Sequence, residues 1–487
     1  MSTLDQLAHR VVMGAFPGPD LPSWAACLLD DGLGSICLFG SNVRSAGDLL
    51  RLTTDLHDRA PDLLVATDEE GGDVTRLHAR DGSPHPGNAA LGAVDDTALT
   101  ERVARAIGAE LLAAGVDLDL APVVDANTNP RNPVIGVRSF GADPALVARH
   151  AAAYVMGLQS AGVGACVKHF PGHGDTALDS HLALPVVDTA PDVLRTRELV
   201  PFAAAVAAGA LAVMTSHVLL PALDAGLPAT LSPSVLRVLR DDLGFHGLVV
   251  TDAVDMRGAS AGRGEPAAAV LALAAGCDLV CLGADKDAGL HDAVVAAVVG
   301  AVRSGALPEA RLVEAAERVL AASGAARRLR EAAAPWTDDG SSATAARAAL
   351  RLVGRLPAVS ELADAPVLRL RTGSTIATGD VPWGLPTPRT VVDVLESTPY
   401  AEVRAAAGTG PVIALVRGPH RHPWALEVLH ALHRDVAQLV TVDMGWPGEL
   451  ELPGAAVVFT YGAGRANGAA LSELLAGRRP AAGARTR

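Results

Sequence analysis

The sequence is poor in lysine, in aromatic side chains and in any pattern that reads as a membrane span or a cysteine framework. Lys168 and Lys286 are its two lysines, arginine carries the remaining positive charge, and the formal net charge is -14. A chain this acidic lacks the clustered cations that neutralise phosphates, which excludes nonspecific nucleic-acid binding. Phe, Trp and Tyr together make up 3% of the residues, so extended stacking platforms are not expected. The five cysteines (Cys27, Cys37, Cys166, Cys277 and Cys281) are odd in number, sit in apolar runs and show no CxxC spacing. They are expected to be buried, reduced thiols. No apolar run reaches spanning length, and the opening residues lack a basic stretch followed by an apolar one, so no membrane contact and a cytoplasmic location are expected. GxGxxG and Walker patterns are also missing, which leaves no sign of a nucleotide cofactor.

What is present is an alternation. Short β-branched runs, "SICLFG" (35–40), "LLVATD" (63–68), "VDLDLAPVVD" (116–125), "GVGACVKHF" (162–170), "LAVMTSHV" (211–218), "GLVVTDAVDM" (247–256) and "CDLVCLGA" (277–284), are separated by alanine- and leucine-rich helical stretches. Strands alternating with helices predict a parallel sheet with crossover helices. Seven such strands, eight with "RVVMGAF" (10–16), suit a closed (β/α)8 barrel over residues 1–335. A Pro/Asp/Gly/Ser-rich stretch at 336–346 reads as a linker. Four further β-rich runs then predict a smaller open α/β sandwich over 347–475, and 476–487 a disordered tail.

Five of the barrel runs end in polar residues: Asp68-Glu69-Glu70, Asp125, Lys168-His169, Ser216-His217 and Thr251-Asp252. One such ending is an ordinary cap or turn. Five of them converge, in a barrel, on the face where this fold places its chemistry. The densest cluster is "KHFPGHGDTALDSH" (168–181), at a strand-to-loop junction. Three histidines within thirteen positions suggest a metal site, but Phe170-Pro171-Gly172 cannot hold a helix that would put His169 and His173 on one face, and no HExxH is present. A rigid turn accounts for His173 more readily than for all three. A third reading pairs Asp179 with His181, a carboxylate orienting an imidazole for proton transfer. Its partner is Asp252, which follows a buried β-branched run; a carboxylate opposite a proton donor is the minimum for retaining glycosidic cleavage. Asp255, three residues on, is expected to matter less.

The loop as a whole resembles the signature of the bacterial β-N-acetylglucosaminidases of glycoside hydrolase family 3. "TDEEGG" (67–72), "NPVIGVRSFG" (132–141) and "VTDAVDM" (250–256) are similar to further family segments and come in the family's order, while "VDMGWPG" (442–448) weakly resembles the C-terminal domain of two-domain members. The resemblance implies Asp252 as nucleophile, His181 as acid/base with Asp179 polarising it, and Asp68, Arg138, Lys168 and His169 as sugar contacts, without metal or cofactor. Two positions depart from it: Glu69 stands where the family has glutamine, and Asp73 where an arginine commonly follows the glycine pair.

The implied activity is exo-acting, retaining hydrolysis of terminal GlcNAc from short cell-wall or chitin-derived fragments, with a small carbohydrate as partner. The oligomeric state is open. Inorganic phosphate replacing water, as in a phosphorylase, and an inactive sugar-binding or regulatory scaffold are the alternatives. A β-glucosidase fits less well, because the family's β-glucosidases generally lack the "DTALDSH" loop (175–181).

Overall fold

The computed structural model describes residues 2–180, 183–386 and 390–478. Eight parallel strands come first: β1 (Val12–Gly14), β2 (Ser35–Leu38), β3 (Leu64–Thr67), β4 (Leu118–Asp119), β5 (Gly164–Phe170), β6 (Ala212–Thr215), β7 (Leu248–Val250) and β8 (Val280–Cys281). They run in the order β7-β6-β5-β4-β3-β2-β1-β8. A bridge between Val250 and Leu279 joins the two ends, supported by Leu279 N–H donating to Val249 O at 3.1 Å and Thr251 N–H to Leu279 O at 2.9 Å. The result is the expected (β/α)8 barrel.

Strand alternation sends every second side chain into the lumen. Met13, Cys37, Leu64, Ala66, Leu118, Cys166, Ala212, Leu248 and Cys281 fill it, joined by Val319, Ala322 and Ala326 of the helix Glu309–Ala332. The opposite faces of the strands bury against the surrounding helices in a second, larger apolar cluster. Some of those helices begin at side-chain caps their sequences advertise. Asp96 accepts from Leu99 N–H ahead of Thr97–Ala113, and Asp143 from Ala145 N–H ahead of Pro144–Ser160, which also carries proline in its first turn. Four cysteines are buried as expected, but Cys27 is exposed. It lies in the helix Ser23–Asp30, whose inward face is made by Ala25, Leu28 and Leu29.

A second sheet contains β9 (Arg351–Val353), β10 (Val367–Leu370), β11 (Val391–Val394), β12 (Pro411–Val416), β13 (Gln438–Asp443) and β14 (Ala456–Phe459), in the order β11-β10-β12-β13-β14-β9. β9 pairs antiparallel to β14 and the other pairings are parallel. Residues 341–346 of the stretch read as a linker belong to the helix Ser341–Ala349, where Ala343, Ala345, Ala346, Ala348 and Ala349 favour that conformation. The tail read as disordered lies, from residue 479 onward, outside the described residues. Among those described, no helix is long and apolar enough to cross a membrane.

Asp73 fastens the second sheet to the barrel. Its Oδ1 accepts from Ala463 N–H at 2.6 Å, and its Oδ2 lies 3.8 Å from Arg417 Nη1. His420 Nε2 meets Pro130 O at 2.9 Å, so the segment that leads into the helix Pro423–Asp435 lies at the seam between the barrel and the second domain.

Candidate active site

The C-terminal ends of the barrel strands enclose a cavity of about 400 Å3. Asp68, Arg138, Lys168, His169 and Asp252 all line it, so five of the seven expected site residues share one pocket. Asp179 is half-buried and next in sequence to Ser180, which also lines the cavity. His181 lies outside the described residues.

Lysine at 168 is explained by what surrounds it. The side chain leaves β5 fully buried, with Nζ 2.6 Å from Asp68 Oδ1 and 2.8 Å from Glu70 Oε1. Glu70 also accepts two hydrogen bonds from Arg138, Nε to Oε2 at 2.9 Å and Nη2 to Oε1 at 2.8 Å. A single buried carboxylate therefore ties both cations. Burial alone would raise the Glu70 carboxyl, but Arg138 and Lys168 outweigh it and hold it well below the usual range. Asp68 is lowered for the same reason, burial being overcome by Lys168 and then by Arg76. Burial likewise opposes the charged lysine, yet Asp68 and Glu70 raise its pKa above the ordinary value. All three groups are thus kept ionised and fixed before anything enters.

His169 is oriented from behind, with Nδ1 2.8 Å from Asp125 Oδ2, while Nε2 lies 3.4 Å from Arg138 Nη2. Asp125 Oδ1 accepts from His173 N–H at 2.7 Å. His173 also borders the cavity, but its ring is held by Thr176 Oγ1 at 2.8 Å and Ser180 Oγ at 3.0 Å, and burial holds its pKa down at about 4. It braces the loop as a neutral ring, in keeping with the rigid-turn reading. Gly174 is required there because a Cβ would sit 1.8 Å from Ala126 O.

Asp252 follows β7, and its Oδ1 accepts from Ala253 N–H at 2.8 Å. His217, fully buried, steadies this turn by reaching Ala253 O through Nε2 at 2.9 Å. Asp255 also lines the cavity, but its Oδ2 is 2.6 Å from Lys286 Nζ. The two lysines of the chain are both neutralised around this pocket.

Sequence reasoning missed Glu70 as the common partner of Lys168 and Arg138, and Arg76, and it left open whether the second domain contributes a loop to the pocket. Arg76 Nη2 lies 3.5 Å from Asp68 Oδ2 and donates to Ala377 O at 3.2 Å. Residues 376–381 of the second domain line the pocket mouth, including Ile376, which is 60% exposed. Glu69, the first departure, does not line the cavity. Its Oε2 accepts from Thr75 Oγ1, Arg76 N–H and Leu77 N–H at 2.8, 2.9 and 3.0 Å, and burial raises its pKa despite the Thr75 bond.

Glu198 packs beneath the loop, against Gly172, with Oε1 2.6 Å from Arg197 Nε and Oε2 without a hydrogen-bond partner among the described residues. Burial raises its carboxyl from 4.5 to about 7, against the pull of Arg197. Between those values the folded chain binds the proton more tightly than the unfolded one, so stability falls as pH rises through that window and levels off above it. The loss is of order 3 kcal/mol at most. Thermal melts near pH 5 and pH 8 are expected to show a larger drop for the wild type than for Glu198→Gln; equal drops would place the titration elsewhere.

The chain resembles known proteins in both sequence and fold. The sequence model described as "Glycosyl hydrolase family 3 N terminal domain" matches residues 20–322. A β-hexosaminidase of Stenotrophomonas maltophilia (strain K279a) is 40% identical over 294 residues, 58% of this chain and 87% of that protein. β-Hexosaminidase A of Pseudoalteromonas piscicida is 39% identical over 250 residues, and the match spans 47% of this chain but 42% of that longer protein. A solved family 3 β-N-acetylglucosaminidase from Paenibacillus sp. strain FPU-7 superposes with a TM-score of 0.85 at 32% identity, covering 100% of both chains. The family expected from "KHFPGHGDTALDSH" is the one found: the chain belongs to glycosyl hydrolase family 3 and is a glycoside hydrolase.

Proposed function

We propose that the protein is an exo-acting, retaining β-N-acetylglucosaminidase that removes terminal GlcNAc from short oligosaccharides of cell-wall or chitin origin, with residues 1–335 as its catalytic unit. The observation that carries this reading is that Asp252 opens into the same cavity as Lys168, Arg138, His169 and Asp68. In the proposed mechanism those four groups hold hydroxyls of one terminal sugar, and fixed charges of both signs suit a ligand rich in donors and acceptors. The Asp252 carboxylate attacks the anomeric carbon as the glycosidic oxygen leaves with a proton from His181. Water then attacks the same carbon, gives its proton back to the imidazole, and releases Asp252. Asp179 orients that imidazole. Once it has given up its proton the histidine is a neutral imidazole, which avoids placing a second carboxylate beside Asp252 while water is deprotonated. A pocket that takes one sugar also accommodates the shortage of aromatic side chains.

The test is cleavage of an aryl β-N-acetylglucosaminide beside the matching β-glucoside by wild type, His181→Ala and Asp252→Ala, with and without phosphate. Selective cleavage of the acetamido sugar that collapses in both variants is expected, with free GlcNAc as product. Sugar 1-phosphate would move the reaction to phosphorolysis. Cleavage that survives both substitutions would refute the assignment.

A further inference from the structure

A second, small cavity of about 60 Å3 lies at the seam between the barrel and the second domain, several times the room one water needs. Asp73, Ser374, Arg417, Arg421, His422 and Trp446 line it, and it meets the catalytic cavity along Val134, Arg138 and Thr378, which border both. The chemistry of this seam is lopsided. Arg417 donates through Nη2 to Gly373 O, lies 4.7 Å above the Trp383 ring, and comes no nearer than 3.8 Å to its carboxylate partner, Asp73. Arg421 donates through Nη1 to Asn132 O at 3.2 Å, while its Nε is buried with no partner among the described residues. The carboxylates here are only partly engaged elsewhere: Asp73 also lines the cavity, and Asp443 Oδ2 is buried with no hydrogen-bond partner among the described residues. Asp443 Oδ1 accepts from the Gly418 and Gly445 amides, both at 2.9 Å, and Asp73 Oδ1 from Ala463 N–H.

Burying a guanidinium donor without an acceptor is costly, and Arg417 and Arg421 set against the single carboxylate of Asp73 leave the void with an excess of positive charge that suits an anion. His422 reports the same imbalance: burial first, then Arg421, His420 and Arg417, hold its pKa down at about 4.

We infer that this seam is a binding site for a single oxyanion, a carboxylate or phosphate group, held by Arg417 and Arg421 with Ser374 and His422 beside it. Guanidinium forks match the planar carboxylate and the phosphate face, and such charge-assisted bonds are the strong ones. Because the seam borders the catalytic cavity, the oxyanion arrives either on the leaving group of a bound substrate or free from solution. Neither source depends on which terminal sugar the main pocket accepts.

The experiment is calorimetric titration of the full chain with inorganic phosphate and with acetate, for wild type, Arg421→Gln and Arg421→Lys. Melting curves identify any variant that has not folded. Saturable binding to wild type is expected, weakened about tenfold or more in Arg421→Gln and less in Arg421→Lys. A parallel assay compares two aryl glycosides of the accepted sugar, one with a neutral leaving group and one carrying a carboxylate. A lower KM for the carboxylated substrate in wild type, lost in Arg421→Gln, means that the oxyanion travels on the substrate; anion binding with equal KM values means that it comes from solution. Absence of saturable binding together with equal KM values overturns the inference, as does anion binding that Arg421→Gln leaves unchanged. If neither glycoside is cleaved, the proposed glycosidase activity fails, while the titration still decides the seam.

Discussion

Replacing Asp252 by asparagine is expected to lower kcat on an aryl β-N-acetylglucosaminide by roughly 10⁴-fold or more, the scale seen when a covalent nucleophile is removed. That is about 5 kcal/mol of transition-state stabilisation. The fold should be indifferent, because asparagine still offers an oxygen to Ala253 N–H, the contact the carboxylate makes at 2.8 Å. Melting temperature therefore separates chemistry from stability. Asp255→Asn is the internal comparison. Its carboxylate already meets Lys286 Nζ at 2.6 Å, so its loss is expected to cost no more than about tenfold, chiefly through KM. A small nucleophile sharpens the test: with Asp252→Gly, added azide should enter from the vacated side and yield the α-glycosyl azide, which only a retaining enzyme predicts. Asp252→Asn with near wild-type turnover would remove Asp252 from the chemistry.

The barrel was legible because each inner strand is short, β-branched and followed by a helix, a pattern only a covered parallel sheet uses. The same pattern located the site, since the polar strand ends had to converge. The second sheet was half legible. β10, β12, β13 and β14 announce themselves as apolar runs, whereas β9 is a three-residue strand with an exposed arginine, and β11 is a half-exposed edge strand. Nothing in so short a sequence separates these from loop.

Within the site the limits were of another kind. Asp68, Glu69 and Glu70 stand in a row, and their chemistry depends on which way each turns. Gly71 and Gly72, with φ of 75° and 59°, bend the chain so that Glu70 faces Lys168 while Glu69 holds the turn at Thr75 to Leu77. A tight turn is readable from paired glycines; the direction of the flanking carboxylates is not. The contribution of residues 376–381 comes from some 300 positions beyond Arg76 and leaves no local signal. Asp73, a departure when judged against the barrel, makes sense only once Ala463 and Arg417 are brought beside it.

Glu70 accordingly carries the largest expected effect on stability. Its carboxylate is 3% exposed and is shared by Arg138 and Lys168. Glu70→Gln leaves Lys168 with Asp68 and leaves Arg138 with no carboxylate partner, so two buried cations face each other with half their compensation. Breaking a buried pair from one side costs about 3–5 kcal/mol, to be read by denaturant unfolding at neutral pH. Activity should fall too, because Lys168 and Arg138 lose the orientation in which they are proposed to meet the sugar, and KM should rise as kcat falls. The pH dependence distinguishes this charge network from simple packing loss. The folded carboxyl is depressed, so its contribution is present above the unfolded value of about 4.5 and declines as pH falls below it. The stability gap between wild type and Glu70→Gln should therefore narrow in acid. A gap constant from pH 7 to pH 3 would mean that shape, and not the charge shared between Arg138 and Lys168, is what Glu70 supplies.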